Sequence, residues 1–311
     1  MQDREAFIRH ALLRTVAWFD VIDYAPTWSE CSSWIEWRGA GGFEHQAAPS
    51  GEELLRAREV LIHDGRLAYA FGRVGFPDRL AGLCALSFER TALFSRKLRR
   101  ALRVARFAAR LSSVRFIALV NTTALAHARN GSDLDFFVIV KDGRLWSTRL
   151  LAAGPYRVFG KLASADAKPD AVCLSYWMTD ADLSLSSHML PDDDPYYRYW
   201  FLSMMPLYDD GIGKDLWEAN VGITALHPRA VQWTVSPDRS VAIQRVRIPD
   251  TRLIEKQAKR IQESWFPPQI RESMNRDSSV IVTDRVMKFH VDDARLTFRD
   301  RYRSNLDALG L

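Results

Sequence analysis

Residues 114–140 read VRFIALVNTTALAHARNGSDLDFFVIV, in which two apolar runs are separated by a polar segment of small residues. The runs from Phe116 to Val120 and from Leu134 to Val140 are rich in β-branched and aromatic residues, which favour strands. The asparagine and threonines after the first run predict a turn that leads into a short helix. The segment therefore predicts, in order, a strand, a turn, a short helix and a second strand.

Two aspartates stand at the start of the second predicted strand. Because side chains alternate along a strand, Asp133 and Asp135 share one face about 7 Å apart, while Leu134 faces the core. Such a pair can hold Mg²⁺ ions that bridge the phosphates of a nucleoside triphosphate. The metal neutralises charge as an attacking oxygen displaces pyrophosphate. On its own, an Asp-x-Asp pair also occurs in Ca²⁺ sites, in glycosyltransferases and in solvated loops.

The same segment resembles the motif of the minimal nucleotidyltransferases of the polymerase-β superfamily. That motif reads Gly-Ser, then x-Ala-Arg-Gly-x-Ala, then Ser-Asp-hydrophobic-Asp, and its spacing is kept here. The matching residues are Asn121, Thr122, Ala124, Ala128, Ser132, Asp133 and Asp135. The resemblance implies a mixed sheet flanked by helices. It also implies that Asp133 and Asp135 bind Mg²⁺ and act in catalysis, while Asn121, Thr122 and Ser132 line the phosphate turn.

The chain departs from this motif at several positions. Asn121 replaces the turn glycine, and asparagine tolerates positive φ better than most residues but brings a side chain close to the phosphates. Leu125 and Ala126 replace the motif's arginine and glycine. Many active members carry a third carboxylate on a later strand, where Ser175 occupies the matching position. Asp170 precedes that strand and is not expected to replace it.

Four further blocks resemble a bacterial group of nucleotidyltransferase-domain proteins with an N-terminal winged helix. They are TVAWFDVIDYAPT at 15–27, KDGRLW at 141–146 with Arg149, CLSYW at 173–177, and KFH at 288–290. Arg144 and Arg149 follow the aspartate strand on a predicted helix, and they are candidates to bind triphosphate oxygens. His127 lies in the turn helix, where it either faces the site or is a partly exposed helix residue.

The first 78 residues have the element order of a winged helix. Thr27-x-x-Glu30 and Ser50-x-x-Glu53 predict capping boxes that open a second and a third helix. The run HDGRLAYAFGRVGFP at 63–77 alternates around glycines and predicts a hairpin. DNA binding by this segment is possible but not favoured, because the third helix carries three glutamates beside its two arginines.

The predicted fold is α+β with three regions. These are a winged-helix-like domain at 1–78, a nucleotidyltransferase-fold core at 79–180, and a mostly helical region at 181–311 that packs on the core. Residues 95–111, SRKLRRALRVARFAARL, predict an amphipathic helix with an apolar face against the sheet and an arginine face on the other side. The arginine face is either solvated or a binding surface for nucleic acid, membrane or phosphate. A strand over 241–248 and a helix over 252–263 are also expected.

Composition places few limits on function. The net charge of +5 is compatible with a phosphate-bearing partner, but also with a merely arginine-rich surface. Three widely spaced cysteines suggest neither a disulfide framework nor a metal site, so a cytoplasmic location is expected. The N-terminus lacks the pattern of a signal peptide, and no apolar run is long enough to cross a bilayer.

Three functional hypotheses follow from the sequence. The first is a Mg²⁺-dependent nucleotidyltransferase that acts on a nucleoside triphosphate, with a small molecule, a protein or a nucleic-acid end as acceptor. The second is a degenerate member of the fold that binds nucleotide, nucleic acid or a partner protein without chemistry. The third is a winged-helix regulator whose nucleotidyltransferase-like domain is a sensor.

Overall fold

The structure is a computed structural model, and it describes residues 2–38, 47–163, 169–241 and 252–311. The chain is an α+β protein in which helices surround a six-stranded mixed sheet. Within the described residues, no helix is long and apolar enough to cross a membrane. The strand expected over 241–248 falls almost entirely outside the described residues.

The N-terminal segment contains three helices and a small hairpin. They are α1 (Gln2–Val21), α2 (Trp28–Ser33), α3 (Gly51–His63), β1 (Ala68–Ala70) and β2 (Arg73–Gly75). Both predicted capping boxes are confirmed. The Thr27 backbone N–H donates to Glu30 Oε2 at 2.7 Å, and the Ser50 backbone N–H donates to Glu53 Oε2 at 2.7 Å. Each box satisfies backbone donors that the first turn of a helix leaves free.

A single long helix, α4 (Leu80–Ala108), joins this segment to the sheet. The predicted amphipathic helix is its C-terminal half. Ala101, Ala105 and Ala108 are buried against the sheet, whereas Arg99 and Arg103 are exposed. The expected apolar face on the sheet is therefore confirmed, and the arginine face is largely exposed, although Arg96 and Arg100 also pair with Asp170.

The sheet begins with the two predicted strands and the element between them. These are β3 (Val114–Leu119), α5 (Asn121–Ala124) and β4 (Leu134–Val140). The elements that follow are α6 (Leu145–Val158), β5 (Val172–Thr179), α7 (Pro195–Leu202), β6 (Met205–Asp209), α8 (Ile212–Ala219), α9 (Val221–Thr224), α10 (Arg252–Ser264), α11 (Pro268–Ser273), β7 (Val280–Val282), β8 (Val286–Phe289) and α12 (Arg295–Leu309).

The strand order is β6-β3-β4-β5-β8-β7. β4 and β5 are parallel, and the other neighbouring pairs are antiparallel. The sequence did not predict β6, β7 and β8, which come from the region expected to be mostly helical. The sheet therefore includes strands from both sides of the boundary predicted at residue 180.

Helices cover both faces of the sheet, which explains why β4 is apolar on both sides. Phe136 and Val138 pack with α4 and α6, whereas Phe137 and Ile139 pack with α1 and α7. Asp135 has the same parity as Phe137, so it points toward the layer that contains α1 and α7. The first residues of β4 and β5 lie side by side, and this edge of the sheet carries the candidate site.

Candidate functional site

The turn after β3 holds two non-glycine residues in the left-handed region of backbone space. Asn121 has φ +58° and Ala126 has φ +53°. Both occupy positions where the motif that the chain resembles has glycine. Ala126 ends α5: its N–H donates to Thr123 O at 3.1 Å, and the N–H of His127 donates to Thr122 O at 2.8 Å. This is the hydrogen-bond pattern of a Schellman cap, in which glycine is the usual residue.

Asp133 lies just before β4, and Asp135 is the second residue of that strand. Burial raises the pKa of Asp133, and the neighbouring carboxylate of Asp135 raises it further. Burial also raises the pKa of Asp135, although hydrogen bonds from Asn121 and Cys173 and the charge of Lys97 oppose that change. The folded chain therefore disfavours negative charge at this pair, and a bound cation would relieve that cost.

Lys97 on α4 holds the segment that precedes the aspartates. Its buried ammonium donates to Ser132 O at 2.6 Å and to Asp170 Oδ1 at 2.6 Å. Arg96 also reaches Asp170, with 3.1 Å between Arg96 Nε and Asp170 Oδ2, and Arg100 forms another ion pair with it. The Asp170 carboxylate is buried and paired with three cations, so it anchors this loop and its charge is already compensated.

The position expected for a third carboxylate lies on β5. In the parallel register, Cys173 stands opposite Asp135 and Tyr176 stands opposite Phe137, so Ser175 falls in an irregularity between these two pairs. Cys173 Sγ lies 3.2 Å from Ser175 Oγ, and burial raises the pKa of this thiol above its usual range. Among the described residues, no three or more His, Cys, Asp or Glu side chains form a group that could hold a metal ion.

A cavity of about 420 Å³ opens beside the turn. Four of the predicted site residues line it: Asn121, Thr122, Ser132 and Asp135. Asp133 is not among its lining residues. Arg144 precedes α6 and does not line this cavity, and Arg149 lines a different cavity, described below. The structure therefore brings four of the seven predicted residues to one cavity.

Apart from His127, the remaining lining residues were not predicted from the sequence. Tyr196 on α7 donates its hydroxyl to Asn121 Oδ1 at 2.7 Å, and its ring stacks on Phe298 with 5.6 Å between centroids. Three arginines also line the cavity, namely Arg90, Arg129 and Arg301. These residues come from α7, α4, the loop before β4 and α12, so only tertiary structure assembles them. Local sequence carries no signal for this set.

Of the two positions expected for His127, the structure shows the one that faces this cavity, and the partly exposed alternative was wrong because the side chain is fully buried. Its Nε2 lies 2.9 Å from Asp23 O, and its buried Nδ1 has no partner among the described residues. Burial lowers the pKa of this imidazole to about 4, and the charge of Arg90 contributes. At neutral pH, His127 is therefore an uncharged residue of the cavity wall.

No protein-family model, curated protein or solved structure matches this chain. The chemistry of the site therefore rests on the arrangement of its own residues.

Proposed function

We propose that this protein is a Mg²⁺-dependent nucleotidyltransferase that moves a nucleoside monophosphate from a nucleoside triphosphate to an acceptor. The observation that carries the proposal is the common position of Asp135 and the Asn121–Thr122 turn at one cavity. The raised pKa values of Asp133 and Asp135 indicate an electrostatic demand for a cation. A polymerase-β-type fold for the sheet is part of the same proposal.

The donor set fits Mg²⁺ because this ion is commonly held by one or two protein carboxylates together with substrate phosphates and waters. Asp133 and Asp135 would hold it, and it would neutralise the charge that develops on the phosphates. Thr122 and Ser132 offer hydroxyl donors at the cavity wall, and Arg129 offers a cation to the departing pyrophosphate. An acceptor oxygen would displace pyrophosphate from the α-phosphorus and thereby form a new phosphoester or phosphoanhydride bond.

The cavity also suits the rest of a nucleotide. Its volume lies within the range of about 300–1,000 Å³ that is usual for ligand pockets. Its apolar wall is aromatic and includes Trp18, Tyr196 and Phe298. Aromatic rings provide stacking surfaces for a base, which a cavity for inorganic ions alone would not require. These rings support a nucleoside triphosphate as the ligand.

A degenerate nucleotide-binding protein is the second candidate. It is favoured by β5, where Cys173 and Ser175 occupy the positions nearest to Asp135 and neither is a carboxylate. A protein of this kind would bind the triphosphate in the same cavity but would release no pyrophosphate. Binding and transfer must therefore be measured separately.

Calorimetry with ATP, GTP, CTP and UTP, with and without Mg²⁺, tests both candidates. We expect Mg²⁺-dependent binding of at least one triphosphate, and loss of that binding in Asp135→Asn. Failure of all four triphosphates to bind would contradict both candidates. Transfer of label from an α-labelled triphosphate into protein or cell extract then distinguishes them, since only the first candidate retains the labelled monophosphate on an acceptor.

We further propose that residues 1–78 form a winged helix that serves as a packing module and does not bind DNA. The arginines of α3 are engaged: the Arg58 guanidinium lies 4.6 Å from the Trp28 ring centroid and 4.4 Å from that of Tyr69. Arg56 pairs with Glu52. The segment is also bound to the C-terminal helix, where the Tyr302 hydroxyl donates to buried Glu36 at 2.8 Å. A salt-sensitive mobility shift of duplex DNA would contradict this proposal.

A further inference from the structure

A second cavity, of about 240 Å³, lies between α6, the start of β5 and the segment that contains α10 and α11. Its wall is mainly apolar, and the larger side chains are Leu150, Leu162, Leu174, Trp265, Phe266, Ile270 and Phe289. Cys173 also lines it, and the same side chain hydrogen-bonds to Asp135. The cavity therefore adjoins the candidate site but has a different lining.

Arg149 from α6 is the notable polar residue of this cavity. Its Nη1 donates to Gln262 Oε1 at 2.7 Å, and its guanidinium lies 4.9 Å from the Phe289 ring centroid. Gln262 is itself fixed, because its amide nitrogen donates to Trp146 O at 2.7 Å. Arg149 Nε is buried and has no hydrogen-bond partner among the described residues. One side of the guanidinium is thus held in place while another N–H is left unsatisfied.

No carboxylate within the described ranges pairs with Arg149. Burial, with a contribution from the charge of Arg157, lowers the pKa of its guanidinium to about 10, so the group remains a cation at neutral pH. Arg157 is not a compensating group: it also lines the cavity and lies 5.0 Å from the Trp265 ring centroid. Arg149 is only partly buried, but it lies in a mainly apolar wall, where a charge without a counter-ion is unfavourable and a ligand of opposite charge would relieve that cost.

We propose that this cavity binds a small carboxylate that has an apolar body. Arg149 lines the cavity, and the guanidinium N–H groups that do not bond Gln262 suit the two oxygens of a planar oxyanion, which arginine binds with two parallel hydrogen bonds. The apolar walls suit an aliphatic or aromatic body, and the small volume restricts the ligand to little more than one ring. A bare phosphate ion would leave most of these walls without contact.

Benzoate and benzamide are a matched pair of probes, because they have nearly the same shape and only benzoate is charged at neutral pH. We expect calorimetry or ligand-observed NMR to show that benzoate binds at least tenfold more tightly than benzamide. Inorganic phosphate is the third probe. Equal binding of benzoate and benzamide, or tighter binding of phosphate than of benzoate, would overturn the proposal.

Arg149→Met keeps most of the side-chain volume and removes the charge, so we expect it to weaken benzoate binding at least tenfold and to leave benzamide binding unchanged. Arg149→Lys should restore part of the affinity. Arg56→Met is the control, because Arg56 is an exposed residue of α3 far along the chain from this cavity. Unchanged benzoate binding in Arg149→Met would overturn the proposal. The wild-type probe comparison decides it independently if that variant does not fold.

Discussion

Asp135→Asn should increase the stability of the metal-free protein while abolishing its response to Mg²⁺. The pKa of Asp135 is raised in the folded state, so the folded chain retains this proton to a higher pH than the unfolded chain does. The free energy of unfolding that Asp135 contributes therefore falls as pH rises from the pKa of the unfolded chain through the pKa of the folded chain. At neutral pH the ionised carboxylate destabilises the folded protein. Asparagine removes the charge and keeps one acceptor oxygen for Asn121 and Cys173.

Removing an unfavourable charge from a folded protein commonly raises its stability by about 0.5–2 kcal/mol. A gain of about 1 kcal/mol at pH 7 corresponds to about 2 °C in Tm for a chain of this length. Loss of a charged ligand should reduce Mg²⁺–triphosphate affinity at least tenfold, since contacts to charged groups contribute about 1.5–3 kcal/mol. At active sites, removing a functional charge often raises the stability of the folded protein.

Thermal unfolding at pH 7, with and without Mg²⁺ and triphosphate, measures both effects. Asp292→Asn is the control, because Asp292 is an exposed aspartate outside the cavity. It should leave both Tm and the ligand response unchanged. A Tm several degrees below that of the wild type in metal-free Asp135→Asn would refute the electrostatic reasoning. A wild-type ligand response in this variant would refute the assignment of Asp135 as a metal ligand.

Three further predictions concern other groups. Lys97→Met should lower the free energy of unfolding by about 2–3 kcal/mol in urea titrations, because Asp170 loses its buried lysine partner and keeps two arginines. A change below about 0.5 kcal/mol would contradict the role of Lys97 in neutralising Asp170. Tyr196→Phe should lower Tm by about 2 °C, because Asn121 loses a hydrogen bond of about 1 kcal/mol. Because that bond positions the turn, triphosphate binding should also weaken by up to about fivefold, and unchanged binding would argue against the cavity. Burial lowers the pKa values of four histidines to about 3 or 4. The stability that their uncharged forms contribute is therefore present above pH 6.5 and should be lost as pH falls toward 4. Tm measured from pH 7 to 4 checks this, and a Tm that does not change with pH would contradict it. These residues are His127, His188, His227 and His290.

Sequence reasoning succeeded where a signal is local. The capping boxes at Thr27 and Ser50 depend on residues three apart, and the strands that begin at Val114 and Leu134 depend on continuous apolar runs. It missed the three later strands because each is short. Met205–Asp209 follows directly on a helix, and Val280–Val282 has only three residues. β6 and β8 pair with strands about one hundred residues away, which periodicity does not record, and β7 joins the sheet only through β8.

The candidate site was predictable from the sequence only in part, because residues far apart along the chain form it. Asp135 and the turn are close in sequence, and a motif of fixed spacing identifies them. Tyr196 and Arg301 reach the cavity from helices far along the chain. Arg149 was expected near the phosphates because it follows the aspartate strand, yet it lines the second cavity. Sequence proximity to a motif does not determine the layer of a sheet to which a helix residue points.

The chain differs from the nucleotidyltransferase motif less severely at the turn than on β5. Asn121 adopts the positive φ that glycine normally provides, and it accepts the Tyr196 hydroxyl while its amide donates to Asp135. An ionised carboxylate has about four acceptor positions, so one such bond orients Asp135 and leaves oxygen lone pairs for a cation. On β5, in contrast, neither Cys173 nor Ser175 can replace a carboxylate as a base at neutral pH, since burial raises the pKa of that thiol further. The difference between a transferase and a nucleotide-binding protein therefore depends on how the acceptor is deprotonated, and the altered turn is compatible with both.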